Sequence, residues 1–133
     1  MNRFQKKRLF HPKASAQGGR RADGIYYRSR WEKNVSVWLD ELKRRGEVLE
    51  WLYEKREFTF PVKRGTRFYK PDFWVREQSI EYFIEVKGFL DAKSVTALKR
   101  MQLYYPEVTV LLLDKRRYAA LESEFGSLDG WEK

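Results

Sequence analysis

Between positions 30 and 45 the apolar residues Trp31, Val35, Trp38, Leu39 and Leu42 recur every three or four positions, with charged and polar residues between them. That spacing draws one apolar stripe along an α-helix. Ser29 offers an N-cap and Gly46 the residue after the C-cap. Lys43, Arg44 and Arg45 crowd the last turn, where cations complement the helix dipole. The pattern predicts a helix over 30–45. Past Gly46 the period changes. Residues 48–53 and 57–62 are rich in aromatic and β-branched side chains, punctuated by Pro61 and Gly65, and read as strands. Residues 68–75 and 80–86 read as a hairpin joined by a polar turn at 76–79. Asp91 caps a second predicted helix that reaches 104, with Pro106 as its stop. Residues 108–113 form a continuous apolar run, the pattern of a strand covered on both faces. A last helix is predicted over 115–125, ending near Gly126. The order is α, β-meander, α, β, α: an α/β fold with a mixed sheet, a meander plus one crossover strand, flanked by helices. No repeat or second domain is visible, and residues 23–133 read as one domain.

Charge changes this picture at the front of the chain. Residues 1–22 carry Arg3, Lys6, Lys7, Arg8, Lys13, Arg20 and Arg21 and no acid. Gly18-Gly19 and the small residues at 14–16 predict a basic flexible arm. The whole chain has 28 Lys and Arg against 19 Asp and Glu, a net charge of +9. Such an excess favours a polyanionic partner, because each neutralised phosphate releases condensed counterions. The arm also holds Phe4 and Phe10, and its expected partner is DNA. Cysteine is absent, which excludes disulfides, thiolate zinc and cysteine nucleophiles. The one histidine, His11, sits in the arm and reads as non-catalytic, so histidine-metal nuclease motifs and a Ser-His-Asp triad are also excluded. No apolar run approaches the roughly 20 residues of a membrane span, and MNRFQKKRLFHPK lacks a signal-peptide core. The expectation is a soluble, cytoplasmic protein without a membrane partner.

Candidate chemistry gathers in Tyr69-Lys70-Pro71-Asp72-Phe73 and in Glu85-Val86-Lys87-Gly88. Residues i and i+2 of a strand share a face, so Glu85 and Lys87 point one way while Ile84 and Val86 pack the other. Antiparallel pairing would set Asp72, in extended backbone after Pro71, beside Glu85. Paired carboxylates repel, and a divalent cation relieves the repulsion. Magnesium prefers oxygen ligands and needs only one or two carboxylates besides water and substrate phosphate; manganese is a substitute. Taken singly, Glu-x-Lys on a strand is an ordinary ion pair and Pro-Asp an ordinary turn. Ser29-x-x-Glu32 is a capping box, in which the glutamate bonds back to the cap amide. Glu32 also lies at the edge of the helix stripe, where it can face the sheet and add a carboxylate.

These segments resemble the PD-(D/E)xK nucleases, and among them the phage endonuclease I type of Holliday-junction resolvase. The likeness runs from about Tyr27 to Asp114, through Tyr27-Arg28-Ser29-Arg30-Trp31-Glu32, Tyr69-Lys70-Pro71-Asp72-Phe73, Glu85-Val86-Lys87-Gly88-Phe89-Leu90 and Tyr105-Pro106-Glu107. The resemblance implies a restriction-endonuclease-like core and a catalytic set of Glu32, Asp72, Glu85 and Lys87. It implies a metal held by Asp72, Glu85, Glu32 and the Val86 backbone carbonyl. Arg28, Arg30, Lys70 and Lys99 join the arm as candidate DNA contacts. It further implies a homodimer that cuts branched DNA such as Holliday junctions, in the host cytoplasm if phage-encoded. A less selective phage DNA-processing nuclease, and a non-catalytic basic DNA-binding protein, are the alternatives. The chain departs from the resolvase pattern by its longer basic arm before Tyr27.

Overall fold

A computed structural model of the chain describes residues 20–133. Arg3, Lys6, Lys7, Arg8, His11 and Lys13 of the expected arm lie outside the described residues. The arm's last residues are strand instead: β1 (Arg20–Ala22) pairs antiparallel with β2 (Ile25–Tyr27). The reason is local. Asp23 and Gly24 both take positive φ, 53° and 77°, the backbone of a two-residue turn whose twist matches a tight hairpin.

Helix α1 (Arg30–Arg44) forms as its periodicity predicts. The side chain of Ser29 accepts a hydrogen bond from the Glu32 amide. At the other end Gly46, at φ 83°, turns the chain so that the amides of Gly46 and Glu47 reach back to the carbonyls of Lys43 and Leu42. This pair of bonds satisfies carbonyls that the helix leaves open. Val35 and Leu39 are fully buried, and Trp31, Trp38 and Leu42 flank them half-buried. Burying each of the two aliphatic side chains contributes roughly 2 kcal/mol.

The central sheet has four strands: β3 (Glu50–Tyr53), then β6 (Phe73–Arg76), β7 (Glu81–Val86) and β8 (Val110–Leu113) in spatial order. The first three are antiparallel, and β8 runs parallel to β7. The crossover between β7 and β8 is helix α2 (Ala92–Tyr104), capped by Asp91. Helix α3 (Lys115–Phe125) follows β8 and is capped by Asp114. A separate two-stranded ribbon, β4 (Phe58–Thr59) and β5 (Phe68–Tyr69), interrupts the meander. The mixed sheet is thus flanked by three helices. On one face α1 and α3 bury Val35, Leu39, Tyr118 and Leu121 against Phe73, Val75, Ile84 and Val86. On the other, Ala97 and Met101 of α2 and Phe58 and Phe60 of the ribbon region cover Trp74 and Phe83.

Three sequence expectations change here. The predicted strand 68–75 is two strands, because Pro71 brings no amide hydrogen to a ladder and the chain passes from ribbon to sheet at Lys70-Pro71-Asp72. The hairpin turn shifts by one residue: Arg76 still pairs with Glu81, and the Glu77 amide bonds to the Ile80 carbonyl. The apolar run 108–113 is not covered on both faces. Strand β8 is the sheet's edge, and Leu111 is exposed.

Candidate active site

Registers bring the acids together. Phe73 pairs with Ile84 and Tyr53 with Phe73, so the next residues along, Glu54, Asp72 and Glu85, stand in one row across β3, β6 and β7. A direct bond from the Glu54 amide to the Asp72 carbonyl, 2.7 Å, carries the pairing past the end of β3. Directly opposed like charges are ordinarily unfavourable. Two of the three, Asp72 and Glu54, are buried.

Each carboxylate is fixed by a named donor. Oδ2 of Asp72 accepts from the Val86 amide at 2.7 Å. Oε1 of Glu85 accepts from the Tyr69 hydroxyl at 2.9 Å. Glu32 reaches the same place from α1, with the Tyr53 hydroxyl on Oε1 and the Ser29 hydroxyl on Oε2 at 3.0 Å. The capping box is therefore altered: the glutamate takes the cap's hydroxyl and a phenol from the sheet. Burial first, and the neighbouring carboxylates next, keep both phenols protonated well past their ordinary range, so they act as donors. The Arg28 guanidinium pairs with Glu54 and lies 3.7 Å from Oδ1 of Asp72.

The electrostatics follow from this crowding. Burial, then the charges of Glu32 and Glu85, hold the Asp72 carboxyl well above its ordinary range. Burial likewise raises Glu32, against the pull of the Tyr53 hydrogen bond and Arg28. Glu85 is pushed up to about 7, by burial first and by Glu32, while Tyr69 and Lys87 oppose the rise. Three carboxyls on different elements resist ionising together, which a positive charge placed among them would reverse.

The acids and their cations line one cleft of about 660 Å³, whose walls include Arg28, Glu32, Glu54, Asp72, Glu85 and Lys87 together with Phe68, Tyr69, Lys70, Val86 and Lys93. The four expected catalytic residues are thus brought together. Among the expected DNA contacts, Lys70 lines this cleft and Arg30 an adjoining one. Arg28 is engaged by acids. Lys99 is exposed on α2 and is not part of the lining, because the helix turns Lys93, Ser94, Ala97 and Leu98 toward the cleft. Sequence reasoning missed Lys93, the two tyrosine donors and Glu54. Glu54 is also the one site residue with strained backbone, at φ 51°, in a region that non-glycine residues enter sparingly.

The donors in the row are all oxygen, the set a hard divalent cation prefers over thiolate or imidazole sites. Among the described residues no three acidic side chains enclose an ion by themselves. Asp72 and Glu85 are two adjacent carboxylates of the row, and Glu32 and Val86 line the same cleft. That number of carboxylates is what magnesium takes when substrate and water complete its shell. Comparison of the chain with protein-family models, curated proteins and solved structures returns no match. Among the described residues, no helix is long and apolar enough to cross a membrane.

Proposed function

We propose that the chain is a magnesium-dependent DNA endonuclease with a restriction-endonuclease-like core, selective for branched DNA. The observation that carries this reading is the convergence of Glu32, Asp72, Glu85 and Lys87, from a helix and two strands, on one cleft of a strongly basic protein. Asp72 and Glu85 hold the metal, with Glu32 and the Val86 carbonyl beside them. Bound there, magnesium supplies polarisation of the phosphoryl oxygen and a more acidic water. Lys87 follows Glu85 by two residues at the end of β7, close enough to lower that carboxyl. Its ammonium orients the attacking water or steadies charge on the phosphate. Tyr69 holds Glu85 in place through its hydroxyl, and Lys70 and Lys93 receive the flanking phosphates. A homodimer sets two such sites on opposed strands of a branch, and manganese serves in place of magnesium.

A gel comparing a four-way junction, a nicked duplex and a linear duplex, with magnesium, manganese or chelator, tests the reading. Metal-dependent nicking fastest on the junction is the expected result, and equal rates on linear DNA point to a less selective DNA-processing nuclease. No product from any substrate under any divalent ion overturns catalysis. One observation favours a non-catalytic DNA-binding protein: Arg28 already neutralises Glu54 and approaches Asp72. That alternative predicts DNA binding indifferent to divalent ions.

A further inference from the structure

The acid-lined cleft has neighbours with which it shares walls. Through Glu32, Val86 and Lys87 it opens into a second cleft of about 650 Å³ that runs past Trp31 and Gly88 to Phe89. At its far end Thr66, Phe68 and Lys93 also line a third cleft, of about 510 Å³, that reaches Arg67. The three make one groove with the carboxylates between its ends. A phenylalanine stands toward each end, Phe89 at 78% exposure and Phe68 at 50%, and neither belongs to the hydrophobic clusters of the core.

Neither ring is needed to complete a core, and solvating both is costly. The backbone just before Phe89 packs closely on α1. At Gly88 a Cβ would come within 3.1 Å of the Trp31 ring, and that ring stacks on Tyr118 with centroids 4.0 Å apart. Phe89 thus projects into solvent from the residue after this close approach. Phe68 sits on β5 with the Arg67 guanidinium 5.5 Å from its ring centre. Lys87, Lys93 and Arg67 supply positive charge along the path between and beside the rings. A phenyl ring has no donor or acceptor with which to read a base edge, but it stacks on any base face that is uncovered. In a duplex those faces are covered by neighbouring pairs. A cationic path with aromatic platforms is the arrangement that holds unpaired strands.

We propose that Phe89 and Phe68 are stacking platforms for unpaired nucleobases on either side of the phosphate placed at Asp72 and Glu85. The feature recognised is a strand whose bases are unstacked at the cut, as at an opened branch point of a junction or along a flap. This rests on the nuclease reading for the position of the cut, and not for the binding itself.

The test measures binding and cutting separately. A short single-stranded oligonucleotide carrying 2-aminopurine, and the matching duplex, are titrated with the full chain in chelator, where no cutting occurs. The wild type is expected to bind the single strand more tightly and to quench its fluorescence. Phe89→Ala and Phe68→Ala are each expected to weaken single-strand binding about tenfold while changing duplex binding less than about twofold. Phe89→Tyr keeps the affinity and Phe89→Leu does not, which separates stacking from plain apolar contact. Leu103→Ala, another exposed apolar position, leaves both affinities unchanged. Equal losses on single strand and duplex, rescue by leucine, or no preference in the wild type would each overturn the proposal. Stacking that behaves as expected in a protein that never cuts with magnesium sustains the platforms and removes the nuclease reading. Cutting whose substrate preference survives both alanine variants does the reverse.

Discussion

The same three strands end differently at their two ends. At one end Glu50, Arg76 and Glu81 stand opposite one another across β3, β6 and β7. Signs alternate there, and Arg76 lies 3.4 Å from Glu50 at side chains that are more than two-fifths exposed. Four residues along each strand, Glu54, Asp72 and Glu85 occupy the corresponding row with one sign throughout. The ladder closes at Tyr53, Phe73 and Ile84, with only the Glu54–Asp72 backbone bond beyond it, so the all-acid row is not a requirement of sheet pairing. It is a concentration of negative charge that folding alone would select against. Breaking the row should therefore harm function and help stability, whereas breaking the alternating row should do little to either.

The largest expected effect is on chemistry. Asp72→Asn keeps an acceptor for the Val86 amide and removes the charge. Cutting of a junction or flap with magnesium is expected to fall by about a thousandfold or more, near 4 kcal/mol of barrier. Thermal unfolding without metal should shift upward, by about 1 kcal/mol of stability. Activity kept, or stability lost in proportion to activity, would assign Asp72 a structural role.

Next in size is a pH effect. Glu85 titrates near 7 in the folded chain against 4.5 for an ordinary glutamate. Between those values the folded state binds more protons than the unfolded one, so stability without metal falls as pH rises through that window and levels off above it. At roughly 1.4 kcal/mol per pH unit the loss is at most about 3.5 kcal/mol. Denaturant titrations between these pH values, repeated on Glu85→Gln, measure it. The variant should show a shallower slope, and added magnesium should raise wild-type stability more above the window than below it. A slope of opposite sign would mean that the acids are stabilised by partners such as Arg28 and need no cation.

Legibility in the sequence followed how far each signal reaches along the chain. Helix α1 was readable because stripe, Ser29 cap and Gly46 all act within a turn or two. Glu85 and Lys87 on one face, and Asp72 beside Glu85, followed from strand alternation and the next strand of a meander. Asp23-Gly24 was an equally local hairpin signal, overshadowed by the basic stretch that leads into it. Glu54 was hidden because its place depends on β3 returning to pair with β6, across the whole β4–β5 ribbon. Tyr53 gains its role only when α1 packs on that sheet and offers Glu32. Lys93 in place of Lys99 turns on the rotation of α2, which capping and periodicity leave loose when the helix is weakly amphipathic.

A smaller effect is expected where a donor supports the row without belonging to it. Tyr69→Phe removes the hydroxyl that holds Oε1 of Glu85 and keeps the ring in its cluster. Cutting should fall about tenfold, the equivalent of one hydrogen bond to a charged group. Higher magnesium should recover part of the loss, because the carboxylate is misplaced and not missing. A loss that no metal concentration relieves would make the phenol itself part of the chemistry.

The smallest expected change lies at the alternating end and gives the comparison its control. Arg76→Gln removes the cation that pairs with Glu50 and stands opposite Glu81, so the acids on the two strands flanking β6 lose the positive charge between them. Because these side chains face water, solvent screens the repulsion. The cost should stay at or below about 0.5–1 kcal/mol and shrink as salt is added. Cutting rate and its pH profile should not move, since the row at the far end of the strands is untouched. Should Arg76→Gln instead slow cutting as strongly as Tyr69→Phe, charge at both ends of the sheet would be serving one extended DNA surface, and the distinction between a structural end and a chemical end would fail.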